Sequence, residues 1–405
     1  MRTAQCLLSG DIAKCLPYTV ETLRFNATAE LNRKDDNRRG LWIMTGVVIR
    51  TAINMGYHRD PSQCRGISVL QAEYRRRIWL SVTTMDDMAS FLGGFPRTTS
   101  AMFSDTMEPR NLHDWDLSED TTVLPPSRPL SEPTPVTYLI VKGRLSRALG
   151  RVADFNSTPG PSSHNTVLEI HRAVHGVYEN FPPHIKVAPA RDTGGPVRTM
   201  ANFSNLGLLG MYHRGICTLH RRFLAKGRDD DRFRFSREQC ISSALALLAS
   251  QEHLEPYFYK WSQTRQMLTL AAMIMFLELE LRRKSPGTGE SPDSNLLLHA
   301  LEQSCARWAE AMDACDEAWK VNQFLAGMLA GFHAGPGAGA GAESSQTVPP
   351  KTPLELAGFS PRFDAANGGF SFEKDLANTD FGWVSFFPSI YKVLLTDNMS
   401  TGCVG

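Results

Sequence analysis

Three successive arginines, Arg75, Arg76 and Arg77, stand in the stretch EYRRRIWLSVTTMDDMASFLGGFPR. On a helix they fan through roughly 200 degrees at about 100 degrees per residue, so at least one borders the buried face. A guanidinium there needs a carboxylate, because a buried charge left alone costs several kcal/mol. Glu73 lies four residues before Arg77, the orientation worth about 0.2–0.5 kcal/mol on an exposed helix. Asp86 and Asp87 lie two to three turns further on, out of local reach at about 1.5 Å per residue. The partners are therefore expected from neighbouring helices or from the acidic stretch after Pro96. The alternative is that the arginines coat a solvated face.

Other residues have the types, but not the full pattern, for chemistry. His213, Cys217 and His220 follow one another at i, i+4 and i+7, which could turn three borderline-soft ligands toward one metal. No fourth ligand is evident, and zinc sites draw on more than one element, so a packed helix face is the competing reading. His171 and His175 are also four apart, in EIHRAVH, but the first histidine is followed by arginine rather than the glutamate a zincin uses as base. GPGAGAGA follows a helical stretch and runs into a linker, whereas a dinucleotide loop follows a strand and opens a helix. With neither a G-x-S-x-G elbow nor a P-loop, catalysis has no positive support. The eight cysteines contain no C-x-x-C pair and read as reduced thiols.

The elements that must position these residues are helical throughout, since apolar positions recur at 3.6-residue spacing and strand-like alternation is almost absent. The fold class is all-α, a multi-helix domain. Helices are expected over about Pro17–Leu31, Asn37–Met55, Ser68–Leu92, Thr134–Phe155, Thr166–Phe181, Val197–Ala225, Ser236–Leu254, Ser262–Arg283 and Asn295–Gly331. Gly56 is placed as a C-cap, and Ser68 with Gln71 and Ser236 with Gln239 as capping boxes. In the third helix Leu70, Tyr74, Ile78, Val82, Met85, Ala89 and Leu92 form one apolar stripe, expected to be buried. The most apolar run, MLTLAAMIMFLELELRR, meets Glu278 too soon to span a bilayer and is expected to be a core helix; no membrane is implied.

Two stretches break the helical pattern. Pro96 to Pro133 is rich in Pro, Ser, Thr and acid, and so long an irregular segment is either disordered or functional. Residues 333–353 are a Gly/Ala/Pro-rich linker separating the helical domain, 1–332, from a loosely attached tail, 354–405. The tail sets nine Phe, Trp and Tyr residues among acids, from Phe359 and Asp364 to Tyr391 and Asp397. That is the composition of an acidic-aromatic activation segment able to dock on coactivators, or of a staple folded back on the helices. The length of 405 residues with 42% hydrophobic content suits a large folded body, and a net charge of +1 denies the chain the basic footprint of a nucleic-acid binder. The start, MRTAQCLLSG, lacks the apolar run of a secretion signal.

LWIMTGVVIRTAINMGYHRDPS, followed by ISVLQAEYRRRIWLSVTTMDDMASFLGGFPR and DTMEPRNLHDWDLSEDTTVLPPSRPL, closely resembles the fungal-specific transcription factor domain, the middle homology region of fungal binuclear zinc-cluster regulators. The family's helix end with its His-Arg-Asp triplet is matched by Gly56, Tyr57, His58, Arg59 and Asp60. Its Glu-x-Arg-Arg-Arg-x-Trp signature is matched from Glu73 to Trp79, its aspartate by Asp86, and its Gly-x-Pro by Gly94 to Pro96. CTLHRRFL and SREQCISSALALLASQ extend the likeness, which covers roughly Leu7 to Phe258 and thins towards Gly331. The resemblance implies that Arg75, Arg76, Arg77, Trp79, Asp86, His58, Arg59 and Asp60 are an inner framework that docks helices and the 96–133 loop, not a DNA contact surface.

The resemblance also implies a DNA-binding module with six cysteines holding two zinc ions, and no such cluster stands in these 405 residues. The expectation is either a truncated gene model or a natural form that acts through partners, with no cofactor of its own. The implied function is transcriptional regulation in the nucleus, of a metabolic or specialised-metabolite gene set, in a homo- or heterodimer with zinc-cluster regulators. A small-molecule effector could be sensed between helices, for instance near Met267, Met273 and Met275, unless these are plain core. The alternatives are a co-regulator without DNA affinity that heterodimerises with full-length relatives, and a helical enzyme that repurposed the fold.

Overall fold

The computed structural model describes residues 2–31, 38–158, 163–186, 200–284 and 292–334. Among the described residues there are twelve α-helices and no strand. They are α1 (Arg2–Gly10), α2 (Thr19–Leu31), α3 (Arg38–Asn54), α4 (Val69–Gly93), α5 (Thr137–Ser157), α6 (His164–Glu179), α7 (Met200–His220), α8 (Lys226–Asp229), α9 (Arg234–Ala249), α10 (Ser262–Lys284), α11 (Ser294–Glu310) and α12 (Asp316–Ala334). The chain divides into two units, Met1–Trp319 and Lys320–Gly405. Of the second, residues 320–334 are described and continue α12. The expected linker, apart from residues 333 and 334, and the whole tail lie outside the described residues.

The first unit is organised along α4. Different faces of it enter two neighbourhoods: Trp79, Val82 and Ala89 join Leu23 of α2 and Leu41, Val48 and Ile49 of α3 in one core. Met88, Phe91 and Leu92 join α5, α6 and α7 in another, around Leu145, Leu149, Val167, Ile170 and Ile216. α3 shows why the sequence folds this way, since Leu41, Thr45, Val48, Ile49 and Ala52 fall on one face and all are buried. Its end is fixed by Gly56 at φ 74°, where a side chain would be strained. Tyr57 N–H donates to Ala52 O and Gly56 N–H to Ile53 O, which is the paired closure of a Schellman motif.

Several expected ends shift for identifiable reasons. Tyr74 is 44% exposed, so the apolar stripe of α4 does not run its full length; toward the N-terminal end, Glu73 and Arg76 take the buried face instead. The capping box at Ser236 and Gln239 is not formed. α9 starts at Arg234, and the Ser236 hydroxyl inside its first turn bonds His164 and His220. The helix expected over Val197–Ala225 ends at His220, and a 3-10 turn, Arg221–Phe223, buries Phe223 before α8 begins. Asn295–Gly331 is two helices, parted by a turn at Met312–Ala314. Cys315 Sγ there meets Tyr259 O at 3.8 Å, and Glu317 pairs with Arg265 of α10, tertiary ties that periodicity does not reveal. α1 was not expected at all.

The apolar run at 267–279 is α10, buried almost all round. No helix of the described residues is long and apolar enough to cross a membrane. Its interrupting acid, Glu278, is wholly buried and collects Arg282 at 2.7 Å, Arg228 at 3.5 Å and Arg237. The methionines Met267, Met273 and Met275 are buried within the same helix.

Two glycines test this packing. A Cβ on Gly227 of α8 would lie 2.7 Å from the Phe233 carbonyl oxygen and 2.8 Å from Arg237 Cβ, whereas one on Gly176 of α6 meets nothing within 4 Å. Gly227→Ala is expected to destabilise by about 1–3 kcal/mol, the usual cost of overpacking. Gly176→Ala should instead stabilise by up to about 1 kcal/mol. Urea unfolding of the two variants checks both signs.

Candidate functional site: a buried charge framework around the arginine triplet

The three arginines leave α4 in three directions and each finds a different acceptor. Arg76, only 5% exposed, forks onto Asp60, itself 2% exposed, with Nε to Oδ2 at 3.0 Å and Nη2 to Oδ1 at 2.8 Å. Arg75 stacks over the Tyr57 ring at 4.2 Å and donates to Met55 O at 2.6 Å, a carbonyl at the end of α3. Arg77 donates to Asp114 of the loop at 2.8 Å and lies 3.9 Å from Glu73. Glu73 is fully buried, so its pairing with Arg77 is not the exposed helix pair of the sequence reading.

Asp60 and Glu73 tie these cations to the backbone. Asp60 opens a short 3-10 turn and accepts from Ser62 N–H at 3.0 Å and Met107 N–H at 3.0 Å, besides Arg76. Burial alone would raise its carboxyl, but these hydrogen bonds prevail and hold it well below the usual carboxylate range. Glu73 accepts the Arg110 amide at 2.8 Å. Burial pushes Glu73 above its ordinary value, against the pull of that amide and of Arg77 and Arg76.

The loop that follows is held at residue after residue. Asp105 accepts the Asp60 amide at 2.8 Å and pairs with Arg59 at 3.2 Å, and the Arg59 guanidinium lies 5.6 Å from the Phe103 ring centre. Trp79 Nε1 donates to Ser104 Oγ at 2.9 Å, and that hydroxyl donates to His58 O at 2.9 Å. His58 thus acts through its carbonyl, its imidazole lying beside Trp79 with ring centres 6.4 Å apart. Asp86, fully buried, accepts from Thr98 N–H, Thr99 N–H and Thr99 Oγ1. Beside it Asp87 accepts Arg97 at 2.8 Å, and Arg97 also donates to Asp154 of α5. Burial pushes Asp87 up to about 6 despite that bond.

Asn111 is the largest omission of the sequence reading. Wholly buried, it donates from Nδ2 to Pro129 O and Glu132 O, each at 3.0 Å, and accepts Thr134 Oγ1 and Thr137 Oγ1, each at 2.7 Å. Every valence of the amide is used, and it closes the loop onto the start of α5. A lone asparagine in a polar stretch carries no periodic signal that could have marked it.

The histidine and cysteine runs part company. His213 lies against the Tyr212 ring, while Cys217 and Cys240 are both buried and each thiol faces the other's carbonyl oxygen, at 3.7 and 3.9 Å. The structure joins instead one histidine from each run, His171 Nδ1 to His220 Nε2 at 2.9 Å. His220 Nδ1 continues to Ser236 Oγ at 2.9 Å, and that hydroxyl to His164 Nε2 at 2.8 Å. Among the described residues no group of three or more His, Cys, Asp or Glu could hold a metal ion.

Removing one partner of the central pair exposes its role. Arg76→Ala strands Asp60 and Glu73 in the interior and is expected to cost about 3–5 kcal/mol. Arg75→Ala and Arg77→Ala, whose side chains are less deeply placed, should cost less. Chemical denaturation that finds Arg76→Ala as stable as the parent would remove the pair from this role.

The histidine chain sets a pH dependence. Burial holds His171 at about 4 and His220 at about 3, below the ordinary 6.5. Between these values the unfolded chain binds more protons, so their contribution is complete above about pH 6.5 and is lost as pH falls. Asp87, raised in the fold, acts with the opposite sign between its ordinary 3.8 and about 6. Replacing His171 or His220 by Gln should therefore shrink the loss of stability between about pH 7 and pH 5, read from urea midpoints; an unchanged loss would exclude the histidines as its source.

A family model described as the fungal specific transcription factor domain matches residues 19–179. The chain is 33% identical over 331 residues to the Zn(2)-C6 fungal-type transcription factor pigI of Monascus ruber, covering 78% of this chain and 41% of that protein. To the Zn(2)-C6 fungal-type transcription factor mpsB of Macrophomina phaseolina it is 30% identical, covering 81% and 47%. To the equisetin cluster transcription factor eqxF of Fusarium heterosporum it is 31% identical, covering 87% and 53%. The chain spans about half the length of the curated relatives it matches. No solved structure matches it. The stretch that carries Asp60, the arginine triplet and the loop they hold is thus a fungal specific transcription factor domain, in a chain whose relatives are transcription factors rather than enzymes.

Proposed function

We propose that this chain is the regulatory body of a transcription factor of the fungal zinc-cluster type, working in the nucleus on a specialised-metabolite gene set. The observation that carries the reading is the engagement of Arg75, Arg76 and Arg77 with acceptors of their own chain. Guanidinium groups so occupied are not offered to phosphates, and a net charge of +1 adds no general attraction to DNA. The relatives include an equisetin cluster transcription factor, which supports the choice of gene set. DNA is then reached through a zinc-cluster module, with its two zinc ions, supplied by a further segment or by a partner in a homo- or heterodimer. A small-molecule effector would be the signal, and the acidic-aromatic tail the contact to coactivators.

The test separates DNA contact from regulation. In a gel-shift assay the isolated chain is expected not to retard promoter DNA of such a cluster at physiological salt. Fused to a heterologous DNA-binding module, it should move transcription of a reporter up or down. Retardation by the chain alone, abolished by Arg75→Ala or Arg77→Ala without loss of stability, would overturn the reading, as would a fusion without effect on the reporter.

A further inference from the structure

Between α4, the loop and α5 lies a cleft of about 100 Å³. That is well below the ~300 Å³ at which drug-sized ligands begin, so its occupant is small. Trp79 and Leu80 of α4 supply apolar wall, and Met107, 56% exposed, stands at the rim. The charge lining it does not cancel. Arg144 is taken by Glu108, with Nε at 3.0 Å and Nη2 at 2.6 Å, a two-point fork. Arg147, one turn further along α5, lines the same cleft, is exposed, and makes no hydrogen bond or ion pair among the described residues. Asp87, whose electrostatics Arg147 influences, already accepts Arg97.

The hydroxyls facing the cleft cannot serve an anion as donors. Thr83 Oγ1 donates to Leu80 O at 3.1 Å and Thr106 Oγ1 to Tyr57 O at 2.7 Å. They are left with lone pairs, and the N–H donors of Arg147 are left over, its charge reaching Asp87 only through space. An apolar wall of a few atoms beside one guanidinium without a hydrogen-bond acceptor fits a ligand with one carboxylate and a short apolar body. A bare phosphate would gain nothing from Leu80 and Trp79.

We propose that this cleft binds a small organic monocarboxylate, its apolar body on Leu80 and Trp79 and its carboxylate forked by Arg147. The site abuts the framework that holds the loop: Met107 N–H donates to Asp60, and Trp79 reaches Ser104. A ligand there touches both α4 and the segment anchored to it. The effector role rests on the regulatory reading above, but binding itself is a property of this chain and is measured apart from transcription.

The experiment uses the full chain with benzoate and isovalerate, the neutral benzamide and isovaleramide, and inorganic phosphate, followed by saturation-transfer NMR and calorimetry up to roughly 10 mM, the range for ligands of so few atoms. The carboxylates are expected to bind, the amides and phosphate roughly tenfold more weakly or not at all. Arg147→Gln should weaken carboxylate binding roughly tenfold without lowering the ligand-free melting temperature, and Arg147→Lys should restore part of it. Amides binding as well as acids, phosphate binding as well as either, unchanged affinity in Arg147→Gln, or no binding of either carboxylate would each overturn the proposal. Carboxylate binding by a chain whose fusion leaves the reporter still would keep this site and remove only the regulatory reading.

Discussion

Burying the Arg76 guanidinium is the act on which the arrangement of the first unit depends. An ion pair taken out of water gains little over a well-packed apolar pair, but half of such a pair is not tolerated. Asp60 must therefore be brought to Arg76, and Asp60 lies at the start of a short turn between α3 and α4. The Schellman closure at Gly56 aims the chain there, and Arg75 seals the carbonyl that the closure leaves over. Charge here does not add stability so much as exclude other ways of docking α3 on α4.

The same carboxylates then order a segment whose regular structure is a single 3-10 turn, Asp114–Asp116, among the described residues. Asp60 and Glu73 each spend a lone pair on a loop amide, Met107 and Arg110, and Asp86 takes two more at Thr98 and Thr99. Buried backbone groups must be paired, and a segment without a regular ladder relies on scattered backbone bonds, such as Asp105 N–H to His58 O, and on side chains. That is why so many acids sit on the inner face of α4, and why the loop can be both irregular and fixed.

The helices were legible because burial on one face imposes its spacing on the sequence, as in α3. Ends were less so. Periodicity marks no stop at His220 or Glu310, and the ties found beyond those ends, the buried Phe223 and the pairing of Glu317 with Arg265, are made by tertiary packing. In the framework, the arginines announced themselves by their charge, and their need for partners followed from electrostatics alone. Of the acids that answer, Glu73 could be read from its helical spacing to Arg77, whereas Asp60 and Asp114 could not be singled out, since chain reversals bring them to α4. The polar half of α4's inner face defeated the apolar stripe at Tyr74 for the same reason: hydropathy cannot distinguish a glutamate facing water from one enclosed by arginines. Asn111 and the His171–His220 contact, made between separate segments, left no mark on spacing at all.

α4 runs for 25 residues without a break, about 37 Å at the usual rise. Two hydrophobic clusters share it, one through Trp79, Val82 and Ala89 and the other through Met88, Phe91 and Leu92, so the two meet on neighbouring faces of its C-terminal half. A rod gripped on two faces passes on rotation as well as displacement, and acids that fasten the loop, Glu73 and Asp86, stand along that rod. Whatever reseats one half of the body must also pull on the loop.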